Sequence, residues 1–244
     1  MTGGSAHDIW CVRAGLVPYG VALDAQKAIE RARQRDEVPD VLLLLEHPPV
    51  YTRGRRSTAD ELPMGEDWYR AQGIEIEDTD RGGRITYHGP GQLVGYPVVS
   101  LRPYRDDVLD YIRRMERVIT GSLADHGVEA EVVEGLTGVW TRSGRKIASI
   151  GVHVNRGVTT HGFAVNVSND LQPFEWIIPC GIDHCRMTSL TRELGLEQDL
   201  DEFAATVCAR FGDIYGRRPV AVSADELFER VGAEALFEAE GSLR

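Results

Sequence analysis

Three β-like segments follow one another between residues 128 and 167, with no room for a helix between them. They cover 128–133, 138–155 and 159–167, and a turn at Ser143–Gly144 divides the second segment. Parallel neighbouring strands need a crossover of about a dozen residues, whereas antiparallel neighbours are joined by tight turns. The spacing therefore predicts antiparallel hairpins rather than βαβ units.

Helical and strand patterns alternate irregularly along the rest of the chain. Apolar residues at helical spacing predict helices, and short alternating or wholly apolar runs predict strands. We expect helices at 19–33, 66–72, 105–126, 188–194, 200–215 and 224–240, and further strands at 9–14, 40–46, 74–77 and 92–101. The fold class is predicted as α+β (mixed α/β), a largely antiparallel mixed sheet flanked by helices. Residues 1–244 are expected to form one domain with loose ends.

Composition and charge restrict the class of partner. The 244 residues include 42% hydrophobic residues and carry a net charge of −11, typical of a soluble globular protein and unfavourable for nucleic acid. The longest apolar run, 41–45, is too short to cross a membrane, and the N-terminus has no signal-peptide pattern. The four cysteines are irregularly spaced, unlike a disulfide framework, so we expect a reduced, cytoplasmic protein.

A lysine and a cysteine suggest acyl-transfer chemistry. Lys27 and Lys146 are the only lysines among 27 basic residues, and Lys146 lies in a strand-like, glycine-flanked stretch. A partly buried ammonium can lose its proton near neutral pH, whereas a guanidinium cannot. Cys180 lies between Pro179 and Gly181 in a loop, where a thiol can meet a substrate. A biased composition with Lys146 as a solvated residue explains the same pattern equally well.

Glycine-rich and small-residue stretches leave two interpretations open. The five glycines between residues 81 and 95 allow close backbone approach to a ligand, or they form a series of turns. Their GxGxxxG spacing, with Pro90 inside and a strand following, does not fit a dinucleotide-binding loop. Small residues on the two adjacent later strands could leave a narrow apolar tunnel or permit close packing: Ala148, Ser149, Gly151, Gly162 and Ala164.

The remaining cysteines do not indicate a metal site. Cys180, His184 and Cys185 offer only three ligands at an unusual spacing, so zinc is disfavoured. Cys11, on the first strand, and Cys208, on an apolar helix, are predicted to belong to the core.

Three blocks of sequence resemble the lipoyl(octanoyl) transferase family: RGGRITYHGPGQLVGYP, GRKIASIGVHVNRGVTTHGFAVNV and IIPCGIDHCRMTSL. They span about half the chain, from Arg81 to Leu190, and the EHPPVYTRGRR segment also fits. The resemblance implies the fold of biotin and lipoate protein ligases. It also implies transfer of octanoyl from octanoyl-acyl carrier protein to lipoyl domains of 2-oxoacid dehydrogenase E2 subunits and glycine cleavage H protein. We expect no cofactor, no metal, no nucleic acid and no membrane partner.

The resemblance also implies residue roles within a single catalytic acyltransferase domain. Cys180 is expected to form the acyl-thioester and Lys146 to be its catalytic partner, while His88 is assigned to binding. A free thiol has a pKa of about 8.5, so a nearby ammonium raises the thiolate fraction, and the lysine can later accept a proton. The substrate-binding positions implied by the resemblance are Arg81, Gly82, Gly83, Arg84, Ile85, Thr86, Tyr87, His88, Ser149, Ile150, Gly151, Gly162, Phe163 and Ala164.

Two other functions fit part of this sequence. An ATP-dependent lipoate or biotin ligase forms an acyl-adenylate and needs no nucleophilic cysteine, so Cys180 argues against it. A non-catalytic carrier-binding module would have no reason to keep both Lys146 and Cys180. Because acyl carrier proteins are acidic like this chain, we expect the arginines of 53–56 and 142–145 to surround the donor entrance.

Overall fold

The computed structural model of the chain describes residues 7–104, 107–178 and 186–234. The helices are α1 Tyr19–Gln34, α2 Glu66–Ala71, α3 Val108–Asp125, α4 Gln172–Glu175, α5 Leu190–Leu194, α6 Leu200–Tyr215 and α7 Ala224–Val231. The strands are β1 Asp8–Leu16, β2 Asp40–Glu46, β3 Val50–Arg53, β4 Glu75–Asp78, β5 Thr86–His88, β6 Gln92–Val98, β7 Ala130–Glu131, β8 Val139–Thr141, β9 Lys146–Asn155, β10 Val158–Asn166 and β11 Arg218–Ser223.

Eight of these strands form a mixed sheet in the order β11-β1-β2-β6-β10-β9-β8-β7. The strands from β2 to β7 in this order pair antiparallel, which confirms the hairpins predicted from the spacing. β1 pairs parallel with both β2 and β11. A second sheet, β4-β3-β5, lies apart from the first. The predicted fold class, a largely antiparallel mixed sheet flanked by helices, is confirmed.

Helices cover both faces of the large sheet. One core packs α3 and α6 against one face, with Tyr111, Phe203 and Phe211 fully buried. The other core packs α1 and α7 against the opposite face, around Leu43, Ile29 and other aliphatic residues. A third, smaller core lies around the second sheet. Within the described ranges, no helix combines the length and apolarity that crossing a bilayer requires.

Local chemistry sets several helix boundaries. The side chain of Asp107 accepts a hydrogen bond from Asp110 N–H, which caps α3 and explains why this helix begins at Val108. The predicted start at 105 lies outside the described residues. Gly232, at φ 68°, ends α7 at Val231, earlier than the predicted end at 240, and residues 235–240 are again outside the described part.

Candidate active site

A cavity of about 420 Å³ opens beside the middle of the large sheet. Its wall is built mainly from β9, β10 and the loop that precedes β5, with Tyr19 contributed by α1. Every predicted substrate-binding residue except Tyr87 lines it. Tyr87 instead packs in the small core, with its ring centroid 5.6 Å from that of Tyr51 and 5.4 Å from that of Phe174. Alternation along β5 explains this, because neighbouring residues point to opposite faces.

The small residues of the cavity wall fulfil both of the roles left open by the sequence. Ser149 and Ala164 are paired across β9 and β10 and line the cavity. Gly151 is required by close packing, because a Cβ there would lie 2.7 Å from the carbonyl oxygen of Gly82. The absence of a side chain at Gly151 lets the glycine-rich loop rest directly on β9.

Lys146 begins β9 and lines the cavity while being only 2% exposed. Its Nζ lies 5.3 Å from the ring centroid of Trp140. The backbone N–H of Lys146 donates to Arg186 O at 2.8 Å, and Thr188 N–H donates to Lys146 O at 2.9 Å. Lys146 is therefore a buried residue with a fixed backbone, rather than a solvated one.

Cys180 lies outside the described residues, as do His184 and Cys185. The described residues on either side of segment 179–185 are tied to the site. Ile178 N–H donates to Glu61 O at 3.2 Å, and Arg186 O accepts from Lys146. Among the residues that the structure describes, no three His, Cys, Asp or Glu side chains are placed to hold a metal ion.

The glycine-rich loop is held on both sides by hydrogen bonds. Gly82 N–H donates to Val152 O at 3.0 Å, and Gly83 adopts φ +94°, which favours glycine. Arg81 is buried and donates from Nη2 to the carbonyl oxygen and the hydroxyl of Thr52 at 2.6 and 2.8 Å. The loop is thus a fixed wall of the cavity.

A chain of hydrogen bonds joins His88 to Thr188, whose backbone N–H in turn donates to Lys146 O. His88 Nδ1 donates to Gln92 Oε1 at 2.7 Å, and Gln92 Nε2 donates to Asn166 Oδ1 at 2.9 Å. Asn166 Nδ2 donates to Thr188 O at 3.0 Å. Burial lowers the pKa of His88 well below the usual value, so the ring is neutral and serves as a hydrogen-bonding group.

His161 forms a hydrogen bond to a carboxylate at another part of the cavity. Its Nε2 lies 2.7 Å from Asp80 Oδ1, and its backbone has φ +56°. The hydrogen bond from His161 lowers the pKa of Asp80 to about 2, while burial lowers the pKa of His161 itself. His161 is held by tertiary contacts, and its motif gave no sign of this pairing.

The sequence interpretation missed several residues of the cavity wall. Val94 and Tyr96 lie two positions apart on β6 and share one face, but neither was predicted, so the alternation gave no starting point for the other. Others, such as Tyr19 and Ile112, come from helices far away in sequence. The lining residues not predicted as substrate-binding or catalytic are Tyr19, Arg56, Val94, Tyr96, Ile112, Gly135, Leu136, Thr137, Val152 and His161.

The other two cysteines pack against the main core, as predicted. A hydrogen bond with Cys208 and burial both raise the pKa of Cys11. Cys11 is therefore a thiol rather than a nucleophilic thiolate.

Comparison with known proteins places the chain in a family. Residues 18–212 match the model of the lipoyl protein ligase A/B catalytic domain. An octanoyltransferase of Solibacter usitatus is 45% identical over 206 residues, covering 84% of this chain and 92% of that protein. Lipoate-protein ligase A bound with ATP shares the fold, with a TM-score of 0.76, 19% identity, and coverage of 97% of this chain and 96% of that one. The apo biotin protein ligase of Aquifex aeolicus is more distant, with a TM-score of 0.51 and 11% identity, covering 86% of this chain and 69% of that one. The chain belongs to the octanoyltransferase family, within the lipoyl protein ligase A/B catalytic domain family.

Proposed function

We propose that this acyltransferase moves an octanoyl group from octanoyl-acyl carrier protein to the acceptor lysine of lipoyl domains in lipoate biosynthesis. The transfer proceeds through a thioester on Cys180, and residues 1–244 act as one catalytic domain. One observation carries the proposal. Lys146 lies buried in a cavity lined by the predicted substrate-binding residues, and its backbone bonds to Arg186, directly after the segment that contains Cys180.

The first step exchanges one thioester for another. The Cys180 thiolate attacks the octanoyl carbonyl carbon, and the carbonyl re-forms as the carrier's sulfur leaves as a thiolate. The leaving thiolate takes the ammonium proton of Lys146, which leaves Lys146 as a neutral amine for the second step. The positive charge of Lys146 favours the Cys180 thiolate, since a nearby cation lowers a thiol pKa. The bond formed and the bond broken are both thioesters, so no ATP is required.

The second step forms the amide. The ε-amine of the acceptor lysine attacks the Cys180 thioester, the C–S bond breaks, and the Cys180 thiolate is regenerated. The attacking nitrogen must lose a proton, and Lys146 in its neutral form accepts it. This need for a proton acceptor explains a lysine at this position in a chain whose only other lysine is Lys27.

The cavity suits a narrow apolar acyl chain. Ser149, Gly151, Gly162 and Ala164 supply short side chains or none along the adjoining strands, and Phe163 adds apolar surface. The volume of about 420 Å³ lies within the usual range for small-molecule sites. We assign the octanoyl chain to this wall and His88 to binding rather than to proton transfer.

The acceptors in this proposal are the lipoyl domains of 2-oxoacid dehydrogenase E2 subunits and of the glycine cleavage H protein. The reaction takes place in the reduced cytoplasm, which keeps Cys180 as a thiol. The competing function is ATP-dependent ligation on the same fold, in which free octanoate is first adenylated and Cys180 is dispensable.

Intact mass spectrometry separates these functions. The wild-type protein and Cys180→Ser are incubated with octanoyl-acyl carrier protein in the absence of ATP. The proposal predicts one octanoyl group on the wild type, released by hydroxylamine, and none on the variant. Acceptor acylation that needs ATP and free octanoate, and that survives Cys180→Ser, would establish the ligase instead. Cys11→Ser serves as the matched control and is expected to keep the adduct.

A further inference from the structure

The cavity is lined by basic side chains although the protein as a whole is acidic. Arg56, Arg81, Arg84 and Lys146 line it, and none of the described lining residues is Asp or Glu. The chain as a whole carries a net charge of −11. The proposed chemistry accounts for the charge of Lys146, but an octanoyl chain and its thioester are uncharged and give no electrostatic reason for the three arginines. The lining therefore indicates an additional, anionic part of the ligand.

Two of the three arginines already have partners within the protein. Arg81 is buried and donates to Thr52 at 2.6 and 2.8 Å. Arg84, 39% exposed, donates to the buried Glu61 at 2.9 Å and uses only part of its guanidinium in doing so. Both residues add positive charge to the site, but Arg81 serves mainly to hold the loop.

Arg56 differs from these two. It is exposed at the rim of the cavity, and its guanidinium makes no hydrogen bond or ion pair with any residue that the structure describes. Its backbone is nevertheless fixed, because Arg56 N–H donates to Gly83 O at 3.1 Å. This bond joins the Arg56 loop to the glycine-rich loop that carries Arg84. The Arg56 guanidinium therefore lies near Arg84 and is available to bind a ligand.

We propose that Arg56, assisted by Arg84, binds the phosphodiester of the donor's phosphopantetheine arm. This inference rests on the proposed function, because the donor is then an acyl thioester carried on such an arm. A guanidinium presents a planar fork of N–H donors that matches two phosphate oxygens, and the bonds are charge-assisted. Arg56 is thus a binding residue for the donor and takes no part in the chemistry at the thioester.

The spacing within the cavity is compatible with this arrangement. Gly82 bonds to Val152, six positions after Lys146 on β9, which is about 20 Å along a strand. The pantetheine arm contains about thirteen bonds of roughly 1.5 Å between phosphorus and sulfur, so it extends to roughly 16 Å. Arg56 and Lys146 line the same cavity. The length of one arm is therefore of the same order as the distance along the strand from the loop contact to Lys146.

Three donors test the proposal: octanoyl-pantetheine, octanoyl-4′-phosphopantetheine and octanoyl-acyl carrier protein. They share the acyl thioester and differ in the phosphate and in the carrier surface. Initial rates are measured for the wild type, Arg56→Ala, Arg56→Lys and Arg117→Ala. Arg117 is an exposed arginine on α3 that does not line the cavity, so its variant controls for the loss of one positive charge.

The proposal predicts a selective effect. Arg56→Ala should lower kcat/KM about tenfold for octanoyl-phosphopantetheine and for octanoyl-acyl carrier protein, through KM, and leave octanoyl-pantetheine within about twofold. Arg56→Lys should recover part of the loss, and Arg117→Ala should match the wild type. The loss should shrink as salt is raised.

Three outcomes would overturn the assignment. An equal loss with all three donors would place Arg56 in acyl binding or in folding. A loss with the carrier protein alone would mean that Arg56 contacts the carrier surface rather than the phosphodiester. No loss with any donor would remove Arg56 from donor binding. A wild-type protein inactive with every thioester would instead refute the proposed function itself.

Discussion

Lys146 illustrates how far a single residue can be interpreted from sequence. Lysine is rare in this chain, and Lys146 lies in a glycine-flanked strand; both features predict a special role for it. The structure shows Lys146 buried at the cavity. A Cβ on Gly138 would lie 2.9 Å from Lys146 Cε, so that glycine makes room for the lysine side chain. The turn predicted at Ser143–Gly144 brings the two strands together, but the register shift between Val139 and Trp140 is not evident from the local sequence.

Lys146→Arg should separate the two proposed roles of the lysine. The guanidinium keeps a positive charge, so octanoyl loading of Cys180 should continue, but it cannot accept the amine proton. We expect turnover to fall by about 10²–10⁴-fold, the usual contribution of a general base. Intact mass should show the loaded enzyme accumulating, while Lys146→Met should slow loading as well. If Lys146→Arg turned over at nearly the wild-type rate, Lys146 would not be the proton acceptor.

The buried His47 should make stability depend on pH. Its Nδ1 donates to Val17 O at 2.6 Å, and Nε2 accepts from the Tyr96 hydroxyl at 2.7 Å. Burial lowers its pKa from 6.5 to about 4. Between pH 4 and 6.5, His47 is protonated in the unfolded chain and neutral in the folded protein. The free energy of unfolding should therefore fall as the pH drops from 6.5 to 4. Above pH 6.5, His47 is neutral in both states and its full contribution to the free energy of unfolding is present.

Urea denaturation at several pH values measures this effect. His47→Gln keeps an amide donor for Val17 O and cannot titrate, so its stability should change less between pH 6.5 and 4 than that of the wild type. Because His88 and His161 also have lowered pKa values, part of the slope should remain. Identical slopes for His47→Gln and the wild type would show that His47 contributes none of it.

Among the elements, long and strongly patterned segments were predictable and short ones were not. The strand at 40–46 and the helix at 200–215 were predicted with the boundaries that the structure shows. β3 and β5 were missed, because only four and three residues are involved and their partners lie elsewhere in the chain. β11 was missed as well, because its half-exposed residues and Pro219 do not form a strand pattern.

Gly151→Ala should disturb the contact between β9 and the glycine-rich loop. The new Cβ would lie 2.7 Å from Gly82 O, a backbone atom that cannot turn away as a side chain would. We expect a loss of about 1–3 kcal/mol in unfolding free energy, typical of overpacking. The octanoyl-donor KM should rise at the same time, because the loop also forms the cavity wall.

Gly20→Ala is the matched control for this substitution. Gly20 lies in α1, and a Cβ there would meet nothing within 4 Å. Replacing glycine by alanine in a helix usually stabilises by up to about 1 kcal/mol. The free energy of unfolding should therefore fall for Gly151→Ala and rise for Gly20→Ala. The donor KM should rise for Gly151→Ala and stay unchanged for Gly20→Ala. Equal behaviour of both variants would show that the loop contact is not tight.

The arrangement of the whole molecule was predictable only in class. Short connections imply the antiparallel half of the sheet, and the predicted strand–helix–strand order at 9–46 is typical of the parallel pair β1–β2. The pairing of β1 with β11 joins segments separated by most of the chain, so no local pattern indicates it. The cavity depends on the same assembly, since its wall takes Tyr19 from α1 and Ile112 from α3.

The last segment of the described chain should contribute to global stability without taking part in the site. Leu227 on α7 is fully buried in the core shared with α1 and does not line the cavity. Leu227→Ala should lower the unfolding free energy by about 2–5 kcal/mol through the lost burial and the cavity left behind. Leu196, 60% exposed, provides the control, because its alanine variant should change stability by less than about 0.5 kcal/mol. Urea denaturation should show an unchanged m-value with a lower midpoint, and octanoyl transfer well below the melting temperature should match the wild type. A loss of transfer activity in folded Leu227→Ala would mean that α7 and the cavity are coupled through the core that they share.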